Sequence, residues 1–174
     1  MTFSDLQISI AGPAERGVLE NLFQLYIHDF SQFWAGEARG ELQTDGRFEP
    51  YPGLDAYWRD AGHYPVLVRK SGHLVGFALV RALTAPVLRG AHEMAEFFVV
   101  RKHRRTGIGA AAAARIYGDY PGAWETYVAR RNTGALAFWR GVIGDHPRIG
   151  ELETLDLNPP DRDGTLFRFK VDTA

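Results

Sequence analysis

The 174-residue sequence contains no cysteine, which excludes disulfides, thiolate metal sites and a cysteine nucleophile. It has almost no net charge, −1 from 20 Lys and Arg against 21 Asp and Glu. No global positive field is therefore available to hold nucleic acid or an anionic membrane. No apolar run approaches the roughly 20 residues that a membrane span requires. The first residues, MTFSDLQISI, lack the basic start and apolar stretch of a signal peptide. The expectation is a cytoplasmic protein with neither a nucleic-acid nor a membrane partner. Histidines at 28, 63, 73, 92, 103 and 146 show no HxxxH spacing, so no metal is expected.

What is present is ordinary for a globular chain, with 45% hydrophobic and 24% charged residues. The length suits one domain spanning 1–174. Leu6 to Ile10 alternates as a short strand does. A helical stretch runs from Glu15 to about Phe33, with Val18, Leu22, Leu25, Tyr26 and Phe30 recurring at three- and four-residue steps. Residues 34 to 62 are polar, Gly-rich and aromatic, and read as a loop with a short helix near Leu54 to Arg59. Tyr64 to Arg69 and Leu74 to Leu83 form a hairpin across Lys70-Ser71-Gly72-His73. Met94 to Val100 is apolar nearly throughout, as central strands are. A glycine turn then leads into a helix to about Tyr117, a strand at Trp124 to Ala129, and a helix from Asn132 to about Val142 with Asn132 as its cap. Two strands, near Ile149 to Leu157 and Leu166 to Val171, flank Pro159-Pro160-Asp161-Arg162-Asp163-Gly164. The order β, α, β, β, β, α, β, α, β, β indicates an α/β (α+β) mixed sheet with helices packed on it.

Chemistry concentrates in Arg101 to Ala113, RKHRRTGIGAAAA. A helix N-terminus leaves backbone N–H groups unpaired and carries partial positive charge. Glycines let the chain turn tightly and let an anion approach its backbone. Arg101, Lys102, Arg104 and Arg105 add full charges, so the stretch suggests a cradle for more than one phosphate. A Walker loop, GxxxxGK(S/T), is absent. Gly107, Gly109 and Ala112 formally match the dinucleotide fingerprint GxGxxG/A, but a basic connector midway along the chain is not its usual place. A solvated basic loop before an ordinary helix is the plain alternative.

The turn also carries a resemblance. Arg104-x-x-Gly107-x-Gly109, preceded by the strand Glu96-Phe97-Phe98-Val99-Val100 and followed by Asn132-x-x-Ala135-x-x-Phe138-Trp139, resembles the motifs of the GNAT superfamily of acetyl-CoA-dependent N-acetyltransferases. The resemblance implies a mostly antiparallel twisted sheet splayed at its centre and flanked by helices. It also implies transfer of an acetyl group to a primary amine by direct attack on the thioester of acetyl-CoA. The acceptor would be a small-molecule or peptide amine, and a homodimer stays open. By position, the pyrophosphate would lie on the backbone of Arg105, Thr106, Gly107, Ile108, Gly109 and Ala110, with Arg104 in the basic cluster. The pantetheine arm would run along Phe97, Phe98 and Val99, beside a V-shaped opening toward 124–129. Asn132 would hydrogen-bond the coenzyme or the wall of that opening, or serve only as a helix cap.

The ammonium, with a free pKa of about 10.4 if Lys-like, must lose a proton before it attacks. Glu93 and Glu96 are the candidate bases. In a regular strand an odd spacing turns them to opposite faces, so one of them faces the acceptor. The offset implied by the resemblance favours Glu93, whereas burial beside the apolar run favours Glu96. The resemblance places the oxyanion donor at the backbone N–H near Phe98 or Val99. Trp139 stands where the family commonly has Tyr, and an indole cannot serve as a proton source near neutral pH; Tyr117 and Tyr127 are substitutes to weigh. For the acceptor, Phe30, Trp34 and Tyr57, with Phe33, Tyr51, Trp58, Asp29 and Glu37 nearby, offer aromatic faces and carboxylates that suit a cation. A CoA-binding module without catalysis is the alternative from another class, and a dinucleotide-binding protein a third.

Calorimetric titration with acetyl-CoA, CoA and NAD separates these readings. Micromolar binding of acetyl-CoA, lost in Gly107→Trp, is expected; binding of NAD instead would refute the reading of the turn.

Overall fold

Leu6–Ile10 (β1) pairs antiparallel with His63–Lys70 (β2), which turns back into His73–Ala82 (β3). The turn works because Ser71 and Gly72 both take positive φ, 49° and 78°, the backbone of a two-residue hairpin whose twist matches the flanking strands. The structure, a computed structural model, describes residues 4–83, 91–159 and 162–173. Pro160 and Asp161, from the turn expected between the last two strands, lie outside the described residues.

Between β1 and β2 lies Arg16–Ser31 (α1), followed by loop and turn to the short helix Ala56–Arg59 (α2). His92–Val99 (β4), Ile108–Asp119 (α3), Gly122–Ala129 (β5) and Thr133–Gly144 (α4) come next. Ile149–Leu157 (β6) and Gly164–Val171 (β7) complete one seven-stranded sheet, ordered β1-β2-β3-β4-β5-β7-β6. Every pairing is antiparallel except β4 with β5. The expected order of elements is observed.

Helices cover both faces. Leu19, Leu22, Phe23 and Tyr26 of α1 pack with Tyr57 of α2 onto Leu67, Phe77, Leu79 and Phe98. Leu25, counted in the apolar stripe, is instead 51% exposed, because it stands about 100° round the helix from Tyr26. On the other face Ala113, Ile116 and Tyr117 of α3 and Trp139, Val142 and Ile143 of α4 meet Val66, Val80, Met94, Trp124 and Phe167. Each large side chain so buried contributes about 1.5–3 kcal/mol. The alanine run makes α3 a strong helix former, and fully buried Ala112 and Ala113 let it sit close to the sheet.

Two features of the central strands matter for function. Leu79 pairs with Glu96 but Val80 with Met94, so Ala95 is an extra, unmatched residue: a β-bulge in β4. Secondly, among the described residues β4 pairs with β5 only at His92↔Trp124 and Glu93↔Glu125, after which the strands part. This is the expected central splay.

Gly76 of β3 fits only because it lacks a side chain, since a Cβ there would lie 2.1 Å from the Phe98 carbonyl oxygen. Gly76→Ala is expected to cost about 1–3 kcal/mol in urea unfolding by forcing the β3–β4 backbones apart. Gly141→Ala, on an open side of α4, is expected to add about 0.5–1 kcal/mol.

Candidate active site

The parting of β4 and β5 opens a cleft of about 1030 Å³, lined by Met94–Phe97, Tyr127–Ala129, the cleft side of α1, parts of segment 33–52, and Asn132 and Trp139. Its β4 wall has a free backbone edge. The Val100 N–H donates to the Val75 carbonyl at 2.9 Å. By the alternation of antiparallel pairs, Phe98 likewise turns its N–H toward β3, while Phe97 and Val99 turn theirs toward the opening. Of the two amides weighed as donors, the geometry thus presents Val99 and not Phe98. Phe98 instead buries its ring against α1.

The glycine turn follows from β4. Gly107 adopts φ 83°, a left-handed conformation at the N-cap of α3, and no side chain caps the helix there. The first helical bond runs from the Ala111 N–H to the Gly107 carbonyl at 3.0 Å, which leaves the preceding amides without intrahelical partners. Gly109 serves a different need: a Cβ would press on Phe138 at 3.2 Å and Val99 at 3.5 Å, so its absence brings α3, α4 and β4 together. Thr106 closes the turn by donating its hydroxyl to the His103 carbonyl at 2.7 Å.

The basic cluster is not uniformly available to an anion. Arg101 Nε donates to Asp29 Oδ1 at 2.8 Å, Arg104 Nη2 donates to Asp29 Oδ2, and Arg104 Nε donates to the Val99 carbonyl at 2.7 Å. Arg104, expected in the phosphate-neutralising group, instead ties the turn to β4 and α1. Lys102 and Arg105 are exposed and form no ion pair among the described residues. Asp29, expected to attract a cationic acceptor, is satisfied by these arginines. Burial pushes its carboxyl up, but the hydrogen bonds from Arg101 and Arg104 outweigh that and hold it below the ordinary value.

The two candidate bases sit in different surroundings on the same side of the sheet. The bulge at Ala95 inserts the residue that cancels their odd spacing, so the opposite-face expectation fails. Glu93 is buried and engaged, accepting from Arg81 Nε at 2.6 Å with Arg162 Nη2 at 3.9 Å. Glu96 lines the cleft, and Tyr26 and Tyr51 donate their hydroxyls to its two oxygens, the latter at 2.8 Å. No cation pairs with Glu96 among the described residues. Burial raises its proton affinity; the two phenol hydrogen bonds offset part of this, and the charge on Glu93 adds to it.

Phe30 and Trp34, the aromatics expected to meet the acceptor, line the cleft with ring centroids 5.8 Å apart. Tyr57 does not line it: its ring is buried in the α1-side core, edge-on to His63 at 5.0 Å. Trp58 donates to the Ala11 carbonyl, and Glu37 pairs with Arg39 and Arg131. Asn132 caps α4, its Oδ1 accepting from the Ala135 N–H at 3.0 Å, a contact worth about 1 kcal/mol. Trp139 is 6% exposed and edge-on to Phe97 at 5.2 Å. Tyr117 is fully buried against Thr126, and Tyr127 donates to the Asp163 carbonyl, so neither hydroxyl is a spare proton donor. Tyr26 escaped the sequence reading because its place in the apolar stripe of α1 accounts for it fully. Among the described residues no three His, Asp or Glu side chains gather as metal ligands, and no helix is long and apolar enough to cross a membrane.

Residues 19–144 match the sequence profile of the family described as Acetyltransferase (GNAT) family. No match was found among curated proteins. Among solved structures, an acetyltransferase from Thermus thermophilus is similar with a TM-score of 0.65 and 15% identity, over 99% of this chain and 100% of that one. The yncA protein of Salmonella typhimurium, solved with its cofactor acetyl-CoA, gives 0.60 and 13%, over 98% and 95%. Spermidine N-acetyltransferase from Vibrio cholerae, in complex with CoA and spermine, gives 0.60 and 14%, over 97% and 95%. At such identities these likenesses establish a shared fold.

The Asp29 clamp generates a pH-dependent prediction. A carboxyl held below its ordinary value stabilises the fold above about pH 3.9, and this contribution is lost as pH falls further. Urea unfolding of Asp29→Asn is expected to show a loss of about 1–2 kcal/mol at pH 7. The gap from the parent protein should narrow below about pH 4.

Proposed function

We propose that this chain, which belongs to the acetyltransferase (GNAT) family, moves an acetyl group from acetyl-CoA to an amine with Glu96 as its general base. The observation that carries this assignment is the setting of Glu96. Its carboxylate lies in the cleft where β4 and β5 part, with hydrogen-bond donors on both oxygens and no counterion among the described residues. A positively charged ammonium supplies the missing counterion, and the raised proton affinity of Glu96 suits it to accept that ammonium's proton. Glu93, paired with Arg81, supports the sheet and does not take this role.

Acetyl-CoA, when bound, supplies an acetyl thioester activated toward amines. The chain's fit to it rests on the glycine turn and the open strand edge. The uncapped amides from Arg105 to Ala110, with left-handed Gly107 among them, would hold the pyrophosphate. Exposed Lys102 and Arg105 add positive charge there. The outward backbone groups of Phe97 and Val99 would pair with the pantetheine amides as a further strand does. The Val99 N–H would also serve as a donor toward the thioester oxygen. Asn132 shapes the mouth of the opening as the cap of α4. No side chain is assigned as general acid, since Trp139 cannot titrate and the hydroxyls of Tyr117 and Tyr127 are engaged. A primary amine fits the acceptor side, where Phe30, Trp34 and Tyr51 present aromatic faces to the cleft.

A panel of small and peptidyl primary amines tests this reading, with release of CoA as the signal. Glu96→Gln is expected to lower kcat by about 10²–10⁴-fold while calorimetric binding of acetyl-CoA is retained. Glu93→Gln, corrected for folding, is expected to lose about tenfold or less, because Glu93 does not move a proton. Full turnover in Glu96→Gln would refute the assignment. Binding of acetyl-CoA with no turnover on any amine would instead mark a non-catalytic CoA-binding module.

A further inference from the structure

The carboxylate of Glu96 is gripped from two separate elements. Tyr26 Oη, from α1, donates to Oε2, and Tyr51 Oη, from the segment between α1 and α2, donates to Oε1 at 2.8 Å. Packing fixes both rings. The Tyr26 ring is buried edge-on to Phe77 and Phe98, and the Tyr51 ring lies 4.6 Å from that of Phe23. The segment bearing Tyr51 is itself pinned to α1 by a reciprocal pair. Gln24 Nε2 donates to the Phe48 carbonyl at 3.3 Å, and the Phe48 N–H donates back to Gln24 Oε1 at 2.8 Å.

The other charged or titratable groups facing Glu96 are Glu93 on its own strand, Arg81 from β3 and Tyr57 from α2. Arg81 is committed to Glu93 at 2.6 Å, and Tyr57 forms no hydrogen bond to Glu96 among the described residues. The two phenols are thus the main groups that stabilise the anion. Their effect has a definite sign. An ionised carboxylate accepts from both hydroxyls at once, whereas protonation turns one oxygen into a donor and forces the tyrosine on it to rotate or let go. Each phenol therefore favours the charged form of Glu96, against the burial that disfavours it.

We propose that Tyr26 and Tyr51 are positioning residues that keep Glu96 ionised and aimed into the cleft. The proposal rests on Glu96 acting as the base, but its physical content can be measured without any acceptor.

The test is carbon-13 NMR of glutamate carboxyls in the intact protein across pH, with Glu96→Gln assigning the signal. Tyr26→Phe and Tyr51→Phe each keep the ring and its packing. Each is expected to move the Glu96 titration point upward by about one pH unit, the scale of one hydrogen bond to a charged group. Tyr57→Phe should leave it in place. A titration point unmoved in both Tyr26→Phe and Tyr51→Phe would overturn the proposal, because a purely structural role has no reason to shift it in one direction. Should Tyr26→Phe fail to fold, Tyr51→Phe decides alone. Turnover of Glu96→Gln is read separately: if it stays active the base assignment fails, while the NMR still decides what the tyrosines do.

Discussion

Among the described residues only two register pairs, His92↔Trp124 and Glu93↔Glu125, join β4 to β5, and the cleft depends on that brevity. Had the pairing continued, the outward amides of Phe97 and Val99 would be consumed by the sheet and the cleft would not exist. The bulge at Ala95 lies two residues beyond the last pair, and a bulge bends the strand that carries it. The same bulge turns Glu96 to the side where α1 and the 33–52 segment can reach it. The inserted residue thus stands beside the opening and sets the direction of the carboxylate next to it.

The last joined position is electrostatically unfavourable taken alone, because it sets two buried carboxylates, Glu93 and Glu125, opposite each other. The sheet compensates along a row that crosses five strands. Arg81 stands opposite Glu93, Arg168 opposite Glu125, and Glu153 opposite Arg168. Arg81 and Arg168 hydrogen-bond the two buried carboxylates at 2.6 Å each. Asp29 is likewise held by Arg101 and Arg104. Glu96, by contrast, has no ion pair among the described residues and is held by neutral phenols. A carboxylate so placed keeps an unmet attraction for a cation, which a paired one does not.

The arginines show how a local pattern can hide a structural role. A run of basic residues before a glycine turn reads as charge for phosphate. Two members of the run, Arg101 and Arg104, bind Asp29 of α1, and Arg104 also binds the Val99 carbonyl of β4, while the first amides of α3 have no side-chain cap. Tyr57 teaches the same lesson. Its aromatic ring in a loop-rich stretch suggested a ligand wall, but α2 turns it into the core, while Tyr51 a few residues earlier reaches the cleft.

The chain alone determined the sequence of elements, the hairpin at Ser71-Gly72, the glycine turn before α3 and the cap at Asn132. Each of these depends on neighbours within a few residues, through periodicity, φ preferences or one side chain reaching its own helix. The region of the candidate site was legible for the same reason, since the turn and the strand before it are contiguous. What only the tertiary structure decided is which groups meet. Asp29 joins Arg101 and Arg104 across more than 70 residues of chain, and Glu96 meets Tyr51 across 45 and Tyr26 across 70. Nor does any local preference mark Ala95 as the residue that bulges. That depends on how β3 and β4 take register against each other, and register is a property of the assembled sheet.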